Sequence, residues 1–265
     1  EIWGYVTDGY YTIDDFNEAD AKHKTWTLKQ GVTKLNGFNP QPGDVKFKDL
    51  REDGVINAGD NTVDNPGDRK VIGNDASRYQ FGASLGAAYK GLSLEVLLQG
   101  VGKRDYWLGG SAVFPFGGAG AGDAVFQALY ANQTDYWRAK SYDPASSDYM
   151  VPVNPNSKLF RIYDQGNNVA SNTRVSDKYL QNAAYLRIKN VTLSYTLPRM
   201  WVKRAYLQDV KFYVSVENLA TFSQLPKGYD PEGREVKTTA NALSNVISWE
   251  YPYYRTISFG ASITF

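Results

Sequence analysis

Tyr254-Arg255-Thr256-Ile257-Ser258-Phe259-Gly260-Ala261-Ser262-Ile263-Thr264-Phe265 alternates along its whole length. Arg255, Ile257, Phe259, Ala261, Ile263 and Phe265 share one face, and Tyr254, Thr256, Ser258, Gly260, Ser262 and Thr264 share the other. A period of two is the period of a strand. An apolar row against a small hydroxylated row, over about 9–11 residues, is what a tilted strand needs to cross a bilayer. Soluble sandwiches also carry single amphipathic strands, so the fold turns on whether the pattern recurs.

Upstream it does recur. Tyr79, Phe81, Ala83, Leu85, Ala87 and Tyr89 alternate with Gln80, Gly82, Ser84, Gly86, Ala88 and Lys90, and Lys90-Gly91 supplies a tight hairpin turn. Leu92, Leu94, Val96 and Leu98 then alternate with Ser93, Glu95, Leu97 and Gln99. A carboxylate at Glu95 is costly in a dry core and cheap facing a water-filled lumen. Val191, Leu193, Tyr195 and Leu197 oppose Asn190, Thr192, Ser194 and Thr196, but the apolar row before them is Leu186 and Ile188. The phase therefore slips near Lys189, which predicts a bulge or a strand rising above the membrane. Pro198 stops that strand. After the basic connection Arg199 to Arg204, Val210, Phe212, Val214 and Val216 alternate with Lys211, Tyr213, Ser215 and Glu217.

The strands are joined by connections of two kinds. Lys90-Gly91 and 198–208 are short, whereas 1–78, 103–182 and 220–253 are long, weakly patterned and rich in Gly, Asp, Asn and Ser. Outer-membrane barrels show this asymmetry, with short turns on the periplasmic rim and long loops outside. The expected organisation is an extracellular loop segment over 1–78, a barrel hairpin over 79–102, a long extracellular loop over 103–182, two barrel strands with a periplasmic turn over 183–219, an extracellular loop over 220–253 and a further barrel strand over 254–265. Within the loops, Thr12 is expected to cap a short helical turn, and Asp123 a short helix carrying Val125 and Leu129 and ending near Asn132. A soluble β-rich protein is the competing architecture.

Composition agrees with an all-β chain and narrows its chemistry. Tyr 20, Phe 12 and Trp 6 with Gly 24 and Pro 11 favour strands and turns over helices. No apolar run reaches the roughly 18 residues of a membrane helix, so any membrane role falls to a barrel, whose polar face lowers the mean hydropathy. Lys+Arg 29 against Asp+Glu 28 leaves no basic field to recruit nucleic acid. With no Cys and a single His, His23, there is little for nucleophilic or His-metal chemistry to stand on. Asp14-Asp15 reads as solvated loop charge, and Gly117 to Gly122, not followed by Lys-Ser/Thr, is no phosphate loop. Glu1-Ile2-Trp3-Gly4 has neither the basic nor the apolar part of a signal peptide, and reads as a mature, a truncated or a mid-protein start.

Several blocks together resemble the C-terminal part of SusC/RagA-type TonB-dependent outer-membrane transporters. These are Gly43 to Asp49, Asp53 to Asn57, Asp68 to Asn74, Tyr185 to Leu193, Glu217-Asn218-Leu219, Gly228 to Glu232 and Tyr251 to Thr256, in that order along residues 43–265. The resemblance implies the last antiparallel strands of a barrel of about 22 strands, in the outer membrane of a Gram-negative bacterium, with the plug domain and TonB-box motif outside this chain. It implies import of oligomeric nutrients, glycan favoured over peptide because of the aromatic richness. The implied partners are the rest of the transporter, a SusD-like lipoprotein lid, TonB acting through the plug, and lipid; no catalysis and no obligatory cofactor are implied. A passive barrel or adhesin and a soluble glycan-binding module are the alternatives. Five strands cannot close a barrel, so one expectation is a transporter nicked in an exposed loop.

Three sets of residues stand out as candidate sites. Asp49, Asp53, Asn57 and Asp60 occupy positions 1, 5, 9 and 12 of an EF-hand-like stretch with Gly54 at the turn, a pattern that can hold Ca²⁺. Arg51 stands at position 3, however, where a cation repels Ca²⁺, and position 12 lacks the bidentate Glu. Tyr106, Trp107, Tyr136 and Trp137 flank the middle loop and are candidates for stacking on cargo or packing against a lid, the alternative being an interfacial girdle. A strand ending in Phe resembles the signal read during outer-membrane assembly, which makes Phe265 a candidate assembly residue.

Overall fold

The computed structural model describes residues 1–18, 25–109, 113–114, 129–162, 167–226, 229–232 and 253–265. The element order is β1 (Ile2–Tyr5), β2 (Thr7–Tyr10), β3 (Val45–Phe47), β4 (Arg69–Gly73), β5 (Arg78–Tyr89), β6 (Leu92–Lys103), β7 (Asp105–Trp107), α1 (Asn167–Asn172), β8 (Leu180–Asn182), β9 (Tyr185–Thr196), α2 (Arg199–Val202), β10 (Asp209–Ser223) and β11 (Thr256–Thr264). Small antiparallel pairs β1-β4 and β2-β3 accompany a five-stranded sheet in the order β11-β10-β9-β6-β5, antiparallel throughout. Among the described residues no helix is long and apolar enough to cross a membrane.

Register shows why the alternation matters. Ala261, Phe212, Tyr195, Leu92 and Tyr89 stand side by side across all five strands, followed by Phe259, Val214, Leu193, Leu94 and Ala87, and then Ile257, Val216, Val191, Val96 and Leu85. Directly paired residues share a face, so the sheet carries one continuous apolar surface. Phe259, Phe212, Leu85 and Tyr89 are each half or more exposed on it. The opposite face is a polar ladder, with Ser258, Ser215, Thr192, Glu95 and Gly86 in one row. Thr192 and Ser215 hydroxyls meet there at 2.9 Å, and Asn190 Nδ2 donates to Ser215 Oγ at 2.9 Å. Such a sheet has water on one side and an apolar medium on the other, the arrangement of a transmembrane barrel wall.

The expected phase slip is a bulge. Register shifts between Leu97 and Leu98 on β6 and between Glu217 and Ala220 on β10, both opposite Lys189. Asn218 sits inside the β10 shift with φ of 50°, the left-handed region that Asn tolerates better than most residues, and its Nδ2 donates to Tyr254 O at 3.1 Å. At the β5-β6 hairpin Lys90 (φ 48°) and Gly91 (φ 86°) form a two-residue turn with both centres left-handed, which matches the strands' twist.

The chain divides into two compact units, 1–74 with 107–180 and 75–106 with 181–232 and 253–265. The stretches expected as loops, 1–78 and 103–182, contribute residues 1–74 and 107–180 to one folded unit whose core gathers Tyr5, Tyr10, Leu35, Phe38, Val45, Phe47, Ile56, Trp107, Phe114, Trp137, Met150, Leu159, Phe160 and Tyr179. The core forms without long strands, so it has no period for a sequence scan to detect. A buried polar joint ties the halves. Asp44 accepts from Gln41 N–H (2.7 Å) and Asn172 Nδ2 (2.6 Å), and Asn172 Oδ1 accepts from Val45 N–H (2.6 Å). The expected turn after Thr12 is a 3-10 turn, Ile13–Asp15, with Thr12 N–H donating to Asp15 Oδ2 at 2.8 Å. Residues 123 and 125 of the expected second helix, and His23, lie outside the described residues.

Candidate functional site

Above the bulge, the slip at Lys189 exchanges the faces of β9, so Arg187 and Tyr185 continue the polar row. Arg187 pairs in register with Gln99 on β6 and Thr221 on β10, and Tyr185 with Val101 and Ser223. Arg187 is 1% exposed. A buried guanidinium must be paired or its desolvation is ruinous. Here Nη2 donates to both oxygens of Asp230 at 2.7 and 2.8 Å, Nε donates to Thr221 Oγ1 at 2.8 Å, and Nη1 lies 3.1 Å from Glu232 Oε2.

The second carboxylate extends the cluster. Glu232 Oε2 accepts from Lys189 Nζ at 3.0 Å, and its Oε1 accepts from Tyr185 Oη at 3.2 Å. Tyr253 contributes a ring to which Arg187 and Lys189 approach at 5.0 and 4.7 Å. Arg104, from the end of the β6 side, donates from Nη1 to Pro231 O (3.1 Å) and from Nε to Asp75 O (3.0 Å). The segment 229–232 is thus tied to the polar face of the sheet by charge-assisted bonds. Beside it opens a recess of about 950 Å³, lined by Gln80, Gln99, Arg104, Tyr185, Glu232 and Tyr253 among others.

The residues singled out from sequence fall elsewhere. In the stretch 49–60 the candidate ligands are engaged locally. Asp49 Oδ2 accepts from Gly54 N–H (2.8 Å), Asp53 Oδ1 from Val55 N–H (3.0 Å), Asn57 Oδ1 from Gly59 N–H (2.7 Å) and Asp60 Oδ2 from Asn65 Nδ2 (2.8 Å). For Asp49, desolvation acts to raise the carboxyl pKa, and the N–H groups of Gly54, Glu52 and Arg51 outweigh it and hold the carboxyl below its ordinary value. The organiser is a residue outside the pattern. Asp68, fully buried, accepts from the N–H groups of Leu50 (3.1 Å), Arg51 (3.2 Å) and Asn57 (2.8 Å). Arg51 places its guanidinium 3.0 Å from Asp53 and 3.5 Å from Asp68. Ca²⁺ would have to displace these bonds, and among the described residues no three acidic or His side chains gather into a metal cluster.

The aromatic candidates separate by burial. Trp137 (1% exposed) and Trp107 (4%) pack in the core, and a Cβ on Gly43, already left-handed at φ 95°, would strike the Trp137 indole. Both tryptophans were expected to stack on cargo or lid, and both rings pack inside the 1–74/107–180 unit. Tyr106 is also buried, its ring 4.2 Å from the Arg104 guanidinium. Tyr136 remains partly exposed beside Arg138. Phe265 follows β11 and is 82% exposed. The ion-pair cluster was missed although both its blocks are distinctive. The available signal was an arginine inside an alternating strand just at a phase slip, with an Asp-Pro-Glu downstream whose spatial neighbour no spacing reveals.

An antiparallel sheet with a continuous apolar outer face and a hydroxylated inner one is the wall of an outer-membrane-type β-barrel. Comparison with known proteins places the resemblance more narrowly. No family model matches the chain. It is similar over its whole length to TonB-dependent receptor P3 of Formosa agariphila, at 25% identity over 268 residues, and over 91% of its length to TonB-dependent receptor P26 of the same organism, at 23% identity. The chain spans 22% of the length of each of these curated relatives. The RagAB peptide importer in its closed-closed state shares the fold with a TM-score of 0.50 at 18% identity, covering 99% of this chain and 23% of that one. The likeness to the C-terminal part of TonB-dependent, SusC/RagA-type transporters expected from the sequence blocks is therefore borne out.

Proposed function

We propose that the chain is part of an outer-membrane transporter that imports an oligomeric nutrient, glycan rather than peptide, energised by TonB through a plug domain and covered by a SusD-like surface lipoprotein. The observation that carries this reading is the sheet itself: three consecutive five-residue apolar rows back a polar ladder, which suits a barrel wall and no soluble core. The similarity to TonB-dependent receptors supports the energised class. Surface aromatics of the 1–74/107–180 unit, Tyr130, Tyr142 and the partly exposed Tyr136, support contact with a sugar or a lid. The chemistry asked of the chain is binding and passage, with no covalent step.

Cells with and without the protein, offered labelled oligosaccharides and oligopeptides, test the proposal. Uptake that needs both the protein and the proton-motive force, with oligosaccharide preferred, is the expected result. Uptake that persists after the membrane is de-energised identifies a passive barrel, and a preference for peptide overturns the glycan assignment.

A further inference from the structure

The recess beside the ion-pair cluster has the features of a built binding site. Its floor takes Gly82 and Gln99 from one row of the polar face and Gln80, Val101 and Tyr185 from the next. The missing side chain at Gly82 leaves its volume open. A Cβ there would meet only Leu98 O at 3.5 Å, an ordinary contact, so no steric need of the sheet explains the glycine. The polar side chains of the lining, which stand beside the apolar Phe81, Leu97, Leu98 and Val101, are held in place. Arg104 is fixed by two backbone carbonyls, and Glu232 by Lys189 and Tyr185. Tyr253, 54% exposed, is pinned by the two cations near its ring. Gln99 keeps its carboxamide unspent among the described residues.

The recess is lined by one cation, Arg104, and two carboxylates, Asp75 and Glu232, and Glu232 is paired with Arg187 and Lys189, so the lining offers a ligand hydrogen bonds and a ring face more than a net field. Planar amides, a guanidinium and an exposed aromatic ring converging on about 950 Å³ are the set that recognises a neutral sugar, through its hydroxyls and the apolar face of its ring. We propose that this recess is a subsite for a neutral oligosaccharide segment, with Gln80, Gln99 and Arg104 on its hydroxyls, Tyr253 as the stacking platform, and Arg187 as a positioning residue that holds Glu232 and Tyr253 in register. The subsite deepens the import reading and rests on it.

The test uses the intact transporter purified with all its parts, a panel of neutral hexasaccharides (glucan, mannan and xylan) and a panel of hexapeptides, with binding followed by calorimetry. Gly82→Leu fills the recess and Tyr253→Ala removes the platform; each is expected to weaken binding of the best hexasaccharide about tenfold or more. Gly86→Leu, four residues further along β5 on the same polar face and outside the recess, is expected to bind as the unaltered protein does. Arg187→Lys, which keeps the charge and loses the fork, is expected to weaken binding with less effect on assembled protein level than Arg187→Ala. No hexasaccharide binding, or unchanged affinity in both Gly82→Leu and Tyr253→Ala, overturns the subsite; so does an equal loss of hexapeptide binding. Energised uptake, measured separately in the same variants, decides the import reading: uptake intact with the subsite refuted leaves that reading standing.

Discussion

Arg187 Nη2 lies 2.7 and 2.8 Å from the two carboxylate oxygens of Asp230, joining the start of β9 to a segment 43 residues further along the chain. The pair is almost wholly shielded, with 2% and 19% of the side-chain surfaces exposed. Desolvation therefore makes a broken pair worse than an absent one. Asp230→Ala is expected to cost about 2–4 kcal/mol, and Arg187→Met combined with Asp230→Ala less than the sum of the two single changes. A double-mutant cycle on the thermal unfolding of the intact protein measures the coupling. Additivity within about 0.5 kcal/mol would show the pair to be energetically idle.

Asp68 is the acceptor on which the 49–57 backbone turns. Three amides converge on its carboxylate, so Asp68→Ala strands buried donors at roughly 1–3 kcal/mol for the group as a whole. Amide hydrogen exchange at Leu50, Arg51 and Asn57 is expected to accelerate together, while the strands of the five-stranded sheet keep their protection. Unchanged exchange at these three amides would remove the organising role.

Arg51 supplies positive charge at the place in this loop where an EF-hand carries a ligand. With its guanidinium between Asp53 and Asp68, the native loop is expected to give no heat on Ca²⁺ titration. Arg51→Asn removes the internal cation and restores an oxygen ligand at position 3, and a Ca²⁺-dependent rise in thermal stability is expected in that variant alone. A response in the native protein of equal size would refute the substitution of guanidinium for ion.

Alkaline pH attacks the core of the 1–74/107–180 unit. Desolvation by burial raises the phenol pKa values of Tyr5, Tyr10, Tyr11 and Tyr179 from their ordinary 10.0. A raised folded-state value means that the unfolded chain loses these protons first. The stability is therefore fully present below about pH 10 and drains as the pH climbs through the folded values. Lys178, its pKa lowered by desolvation, runs the other way: its penalty is present at neutral pH and is relieved as the pH approaches the free lysine value. Four phenols outweigh one amine. Ultraviolet titration of tyrosinate is expected to show a delayed, cooperative ionisation that coincides with loss of near-ultraviolet circular dichroism, and a smooth titration at pH 10 would contradict it.

Phe259 and Ser258 test the two faces of the sheet. Phe259 belongs to the apolar row with Val214, Leu193 and Leu94, Ser258 to the polar row with Ser215 and Thr192. Arginine at 259 is expected to cost about 2–4 kcal/mol and to lower the assembled level sharply, whereas arginine at 258 is expected to cost much less. Equal losses at both positions would refute the assignment of lipid and lumen sides.

How much of this was legible depended on the period. Phe259, Leu193 and Val96 announce their strands because alternation is local, and the bulge at Lys189 could be placed because a slip changes which residues align. Trp137 and Phe160 carry no such mark, since their core is assembled from turns and short bridges. That is why 1–78 and 103–182 read as loop. Arg187 and Asp230 lie in stretches that were distinctive one by one, but their meeting depends on a return path that neither stretch encodes. At 49–60 the spacing of Asp49, Asp53, Asn57 and Asp60 suggested an ion, whereas Asp68, eight residues past the last of them, supplies the anchoring carboxylate. Spacing lists ligands; it does not list competitors.

Thr7 N–H donates to Asp177 Oδ1 at 2.9 Å across a sequence separation of 170 residues. Closing a chain segment of that length costs roughly 4–5 kcal/mol of entropy before any contact rewards it. The β5-β6 hairpin, by contrast, needs only its two-residue turn and forms on the microsecond scale of local pairs. A clock is thereby set into the chain. The hairpin is committed early, while the two aromatic half-cores on either side of it wait, solvent-exposed and adhesive, until residues near 177 arrive to meet those near 7. The slow step of maturation is therefore expected to be the closure of the unit that lacks long strands, with the interval before it the one most open to aggregation.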